Sequence, residues 1–139
     1  MAFNILGIDH VVLRVAHADR AMRFYCDILG CHEERTLEDI GLYQLRAGAC
    51  LIDIVPIDSE LGRLGGAGPE REGRNMDHFA LRIEPFDEAD IRAHLAAHGI
   101  DAGEIKKRYG ATGEGPSIYI TDPDGNTVEL KGSAFEEGD

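Results

Sequence analysis

Polar and apolar residues alternate in a phrase that the chain states twice. Asp9-His10-Val11-Val12-Leu13-Arg14-Val15 returns as Asp77-His78-Phe79-Ala80-Leu81-Arg82-Ile83, with Asp, His, Leu and Arg in register. Alternation of period two marks a half-buried β-strand, so strands are predicted over 8–15 and 77–83. Helical spacing follows each of them. Ala21, Phe24, Tyr25 and Ile28 fall at i, i+3, i+4 and i+7 behind an Asp19 cap, with Gly30 as the stop. After the second strand an Asp87 cap opens a helix running to His98, with Ile91 and Leu95 at i, i+4 and Gly99 as its stop. Three strand-like segments then follow each helix: 32–38, 41–47 and 50–57 in the first half, 101–107, 117–122 and 126–131 in the second. Asp122-Pro123-Asp124-Gly125 places Pro and Gly where a tight turn needs them. The pattern is β-α-β-β-β, twice.

The segment 58–75 has no hydrophobic period and holds Gly62, Gly65, Gly66, Gly68, Pro69 and Gly73, which predicts a linker long enough to act as an arm or lid. The 139 residues make one domain, with repeat halves 8–57 and 77–131 that are each too small to bury a sheet alone.

Period-two bookkeeping separates two faces. Val11, Leu13 and Val15, with Phe79, Leu81, Ile83, Ile52, Ile54, Ile118, Ile120, Val128 and Leu130, form apolar rows for the helices to cover. The opposite rows carry the chemistry: His10 and Arg14, Asp53, His78 and Arg82, Tyr119, and Glu129. Asp53 and Glu129 occupy matching places, because Leu51-Ile52-Asp53-Ile54 aligns with Thr127-Val128-Glu129-Leu130. Two neutral imidazoles and one or two carboxylates on rigid strands suit a divalent ion such as Zn²⁺, Ni²⁺, Mn²⁺ or Fe²⁺. Asp53 is one methylene shorter than Glu, so it meets the metal directly or through water. Arg14 and Arg82 read as salt-bridge partners near the strand ends or as binders of a substrate carboxylate. His17, His32, His94 and His98 lack the symmetric placement and read as surface or hydrogen-bonded histidines.

Composition narrows the partners. A net charge of −12 argues against nucleic acid and anionic membranes, and it fits solubility or, more sharply, a cationic ligand. The acidic residues gather at 33–39, at 84–90 and at the C-terminus (Glu136, Glu137, Asp139). Nothing resembles a signal peptide or a transmembrane run. Cys26, Cys31 and Cys50 lack CxxC spacing and read as reduced thiols of a cytoplasmic protein.

These residues resemble the vicinal oxygen chelate superfamily, which includes glyoxalase I, fosfomycin-modifying enzymes, extradiol dioxygenases and bleomycin-resistance proteins. The similarity runs from Ile8 to about Gly132. It rests on Ile8–Val15, on Arg23-Phe24-Tyr25-Cys26-Asp27-Ile28-Leu29-Gly30, on Asp77-His78, and above all on Tyr119–Glu129 with its Asp-Pro-Asp-Gly turn. The resemblance implies an α+β fold in which two βαβββ modules form an open eight-stranded mixed β-barrel. It implies His10, His78 and Glu129 as metal ligands, with Asp53 where many glyoxalase-like members have Glu. Glu129 or Asp53 would serve as general base, and Tyr119 is a third candidate catalytic residue, although a mid-barrel tyrosine usually packs and donates one hydrogen bond. The implied activity is that of a metal-dependent lyase or isomerase acting on a small oxygenated substrate. The alternatives are a metal-independent, bleomycin-resistance-type binding protein and an extradiol-type dioxygenase. For the last, Gly110, Ala111 and Thr112 fill the places where an acid-base histidine is expected. Free sheet edges, and the habit of family members of this length, imply a homodimer.

Overall fold

The computed structural model describes residues 2–136, so Glu137 and Asp139 of the acidic C-terminus lie outside the described residues. The chain divides into two compact units, one ending at Asn75 and the other beginning at Met76.

The first unit runs β1 (His10–Val15), α1 (Ala18–Met22), a π-helical turn (Arg23–Ile28), β2 (His32–Leu37), β3 (Leu42–Ala47), β4 (Cys50–Pro56) and α2 (Glu60–Leu64). Its sheet has the order β1-β4-β3-β2, with β1 parallel to β4 and the other pairs antiparallel. Leu13, Val15, Leu45, Ile52 and Ile54 are buried together with Ala21, Phe24 and Tyr25. The predicted helical positions therefore do face a core. The turn widens at Arg23–Ile28, where Cys31 N donates to Tyr25 O at 2.8 Å and Leu29 N to Phe24 O at 3.1 Å. Both consecutive aromatics are thereby buried, edge to face with ring centroids 5.0 Å apart. The cap is not Asp19. The chain enters the helix at His17, whose extended backbone offers its carbonyl to Ala21 N, and Asp19 lies in the first turn, where its charge favours the helix dipole.

The 58–75 segment is not a free linker. Ser59 Oγ accepts from Gly62 N at 3.1 Å and caps α2. The Arg14 guanidinium, reaching from β1, donates to Gly62 O (3.2 Å), Gly66 O (3.0 Å) and Ala67 O (2.7 Å). Asn75 accepts from Arg14 N and donates to Arg14 O, continuing the outer edge of β1. Arg14 is thus a clamp on backbone carbonyls and, among the described residues, not a salt-bridge partner, and its donors are taken up rather than free for substrate.

The second unit runs β5 (Phe79–Arg82), α3 (Glu88–Ala97), β6 (Lys106–Gly110), β7 (Gly113–Thr121) and β8 (Thr127–Lys131). The order is β5-β8-β7-β6, with β5 parallel to β8. Here the expected cap holds, since Asp87 accepts from Asp90 N at 2.9 Å. Gly30 and Gly99 stop their helices at φ of +85° and +71°. The sixth strand begins later than the predicted 101–107. A tight turn at Ala111-Thr112 fixes its register, so Lys106 lies opposite Ser117 and Gly110 opposite Gly113, and β7 starts at Gly113 instead of 117. The Asp-Pro-Asp-Gly turn is locked by Asp122, which accepts from Asp124 N, Asn126 N and Asn126 Nδ2 at 2.8–2.9 Å. Ile118, Ile120, Val128, Leu130 and Leu95 are buried.

The two units repeat one strand order, as the duplicated phrase predicts. Of the expected open barrel of two βαβββ modules, the described residues show the two four-stranded mixed sheets. Among the described residues each unit's ladder ends at four strands, because the parallel strand of each module completes its own sheet and no hydrogen bonds continue past it.

Candidate functional site

Each unit brings one imidazole to one buried carboxylate. In the first, β1 runs parallel to β4 with Val12 opposite Asp53, so His10 and Asp53 share a sheet face two residues apart in register. His10 Nδ1 lies 2.7 Å from Asp9 Oδ1, and this turns Nε2 toward Asp53 Oδ2 at 4.0 Å. The hydrogen bond that His10 donates to the Asp9 carboxylate, followed by the charge of Asp53, raises the His10 pKa above its ordinary value. Asp53 is 4 % exposed. Its cross-strand neighbour Gln44 donates Nε2 to both carboxylate oxygens at 3.3 and 3.4 Å, which offsets part of the cost of burying the charge.

The second unit repeats the device. His78, one residue before β5, has Nδ1 2.6 Å from Asp77 Oδ2 and Nε2 3.4 Å from Glu129 Oε1. Glu129 is 7 % exposed and lies opposite both Ala80 and Tyr119. The Tyr119 ring stands edge-on to His78, with centroids 5.4 Å apart, and the Arg108 guanidinium lies 4.1 Å from its centre. Tyr119 therefore separates an imidazole from a cation.

The predicted residues thus fall into two groups: His10 with Asp53, and His78 with Glu129 and Tyr119. Among the described residues no three His, Cys, Asp or Glu side chains gather as a ready-made metal cluster. Four polar neighbours of the site were not predicted: Asp9, Asp77, Gln44 and Arg108. The repeated Asp before each His was a signal for the first two. Gln44 and Arg108 depend on hairpin register. An open groove lined by Glu33, Thr36, Leu37, Glu38, Asp39 and Ile40 holds none of the predicted site residues. The three cysteines are free thiols. Burial pushes Cys31 up to about 11, and Cys50 Sγ donates to Ile8 O at 3.0 Å, so neither is set up as a nucleophile.

Two mirrored His–carboxylate pairs on duplicated βαβββ units define an α+β protein of the glyoxalase-like class. The chain belongs to the glyoxalase/bleomycin resistance protein/dioxygenase superfamily, whose family model matches residues 7–130. It is 26% identical over 133 residues to a lactoylglutathione lyase of Haemophilus influenzae, covering 90% of this chain and 91% of that one. It is 25% identical over 124 residues to a catechol-2,3-dioxygenase of Bacillus subtilis, with 88% of this chain covered, and it spans only 40% of that relative's length. A virulence protein of Salmonella typhimurium is 32% identical over 123 residues, covering 88% of this chain and 81% of that one. Its crystal structure superimposes with a TM-score of 0.77, covering 95% of this chain and all of that one. Superfamily members are often enzymes and typically use a divalent metal, while some are non-enzymatic resistance proteins. Among the described residues no helix is long and apolar enough to cross a membrane.

Proposed function

We propose that the protein is a divalent-metal-dependent enzyme, a glyoxalase-like lyase or isomerase, whose candidate metal ligands are His10 and Asp53 in the first unit and His78 and Glu129 in the second. The observation that carries this reading is the twofold Asp–His–carboxylate arrangement. In each copy Nδ1 donates to an Asp carboxylate, which fixes the tautomer and leaves the Nε2 lone pair facing the site, a common way of orienting histidine ligands. The donor separation also fits. Two ligands on one tetrahedral ion with bonds of about 2.0–2.1 Å sit roughly 3.3 Å apart, and His78 Nε2 lies 3.4 Å from Glu129 Oε1. The 4.0 Å between His10 and Asp53 is wider and suits Asp53 in an indirect or carboxylate-shifted role.

A bound divalent ion would polarise adjacent substrate oxygens as a Lewis acid. The chain's own residues supply the rest. Asp9 and Asp77 hold the imidazoles, Gln44 holds the Asp53 carboxylate, and Glu129 or Asp53 accepts and returns the proton moved in a lyase or isomerase reaction. Tyr119 packs beside His78 with its hydroxyl available for one hydrogen bond to substrate. The names of a lactoylglutathione lyase of Haemophilus influenzae and of a "probable lactoylglutathione lyase" of Synechocystis support this reaction class over ring cleavage, since both match across 91% of their lengths. We further propose that the chain works as a homodimer, on the strength of exposed Phe3, Ile5, Leu6 and Ile8 near its N-terminus.

The test is metal content followed by assay. Protein purified without chelator and reconstituted with Zn²⁺, Ni²⁺, Mn²⁺ or Fe²⁺ is expected to hold the metal and to turn over one of a panel of hemithioacetals, epoxides and acyl-CoA esters. His10→Ala and His78→Ala are each expected to lose most of the metal. Failure of the reconstituted protein to hold metal would overturn the reading in favour of a metal-independent binding protein.

A further inference from the structure

The site face of the second sheet carries more positive charge than its His–carboxylate pair accounts for. Register places Arg82 opposite Lys131, Lys131 opposite Ser117, and Ser117 opposite Lys106. Residues directly opposite share a face, so Arg82, Lys131, Ser117 and Lys106 form one row across all four strands. The neighbouring row, two residues or about 7 Å along the strands, holds Ala80, Glu129 and Tyr119, with His78 beyond the start of β5. Arg108 is opposite Gly115 on the same face. Within the four strands themselves, this face thus carries four cations and one carboxylate, Glu129, in a chain with 26 acidic and 14 basic residues.

Among the described residues, none of these four cations pairs with a carboxylate. Arg108 Nη1 donates to Ser117 Oγ at 3.0 Å and Ser117 O at 3.3 Å while its plane lies against Tyr119. Lys131 is only 5 % exposed, and its Nζ donates to Gly113 O at 3.2 Å and Gly132 O at 2.9 Å. Gly115 makes room for it, since a Cβ there would lie 2.9 Å from Nζ. A buried ammonium held by carbonyls alone is costly, and like charges directly opposite on a sheet, such as Arg82 and Lys131, destabilise it. Lys107, which faces the other way, has the ordinary arrangement, with Glu114 3.6 Å from it. This unneutralised row of cations next to Glu129 is the charge that an anionic ligand would neutralise.

We propose that this row binds an oxyanion group of the substrate, a carboxylate, phosphate or phosphonate, with Arg108 and Lys131 as its charge partners and Ser117 Oγ as a hydrogen-bonding neighbour. The substrate class of the proposed enzyme is then an anion, with its anionic group on one side of Tyr119 and its reacting oxygens on the His78–Glu129 side. This rests on the metal-enzyme reading for the reaction but not for the anion site itself. The cationic ligand that the net charge would favour is excluded from this face by the same four side chains.

Phosphorus NMR line broadening of inorganic phosphate tests it, on protein as purified and again after chelation, with metal content measured on the same samples. Saturable binding is expected, to persist after chelation, and to weaken by about tenfold or more in Arg108→Gln, the scale of one charge-assisted hydrogen bond. Lys107→Gln removes the same charge from the opposite face and is expected to bind as the parent does. No saturable broadening, equal weakening in both variants, or binding that vanishes on chelation and ignores Arg108→Gln would each overturn the proposal. Phosphate binding by a chain that holds no metal would uphold the anion site and overturn only the metal reading.

Discussion

At the scale of single residues, the arrangement depends on what sits behind each imidazole. Asp9 and Asp77 are largely exposed, yet each holds a ring nitrogen at 2.6–2.7 Å and so decides which nitrogen faces the carboxylate. Asp9→Ala and Asp77→Ala are each expected to weaken metal binding by about 10–100-fold; competition titration against a chromophoric chelator measures it, and unchanged affinity in both would show that the rings are held by packing alone. Cys31 makes a second prediction. Its thiol holds its proton more tightly in the folded chain, up to about 11 against an ordinary 9.0. Its contribution to stability is therefore complete below pH 9.0 and is lost as pH rises through about 11. Urea midpoints on both sides of that window should fall more steeply for the parent than for Cys31→Val. Sequence made His10, His78, Asp53 and Glu129 legible because each repeats at a matching place. Gln44 and Arg108 have no repeated partner, and their roles exist only once hairpin register sets them beside Asp53 and Tyr119.

At the scale of elements, the repeated hydrophobic periods located β1, α3, β3, β4 and β8 to within a residue or two. They failed where backbone hydrogen bonding overrides side-chain pattern. The π-helical widening at Arg23–Ile28 leaves the apolar spacing intact and so leaves no trace in it. The start of β6 is decided by a two-residue turn, and the clamp on 58–75 by one arginine whose partners are all carbonyls. Arg14→Met keeps the aliphatic stem and removes the donors to Gly62, Gly66 and Ala67. Limited trypsin digestion is expected to cut faster at Arg63, Arg71 and Arg74 in that variant, and an unchanged rate would mean that α2 and Asn75 suffice to hold the segment. In the second unit, Asp122→Ala removes the acceptor of three hydrogen bonds from the turn between β7 and β8. A loss of about 2–3 kcal/mol in chemical denaturation is expected, and a loss well under 1 kcal/mol would show that the turn is held by Pro123 and Gly125 alone.

At the scale of the whole molecule, the duplicated topology was legible in full, because the same period-two phrase followed by the same helical spacing opens each unit. The exposed apolar residues near the N-terminus belong to the same scale. Light scattering at micromolar concentration is expected to give a species of twice the 15.2 kDa chain mass at both low and high salt. A single species at the chain mass under both conditions would remove the dimer.

The parallel pairing of first strand with last in each unit also fixes an order of events. Strands β2, β3 and β4, like β6, β7 and β8, follow one another through short connections and can zip locally, whereas His10 meets Leu51, and Phe79 meets Val128, only after a long loop closes. Docking of that outermost strand is the same act that brings each imidazole to its carboxylate. Until that strand docks, the Asp53 and Glu129 carboxylates lack the imidazoles that stand beside them in the folded chain.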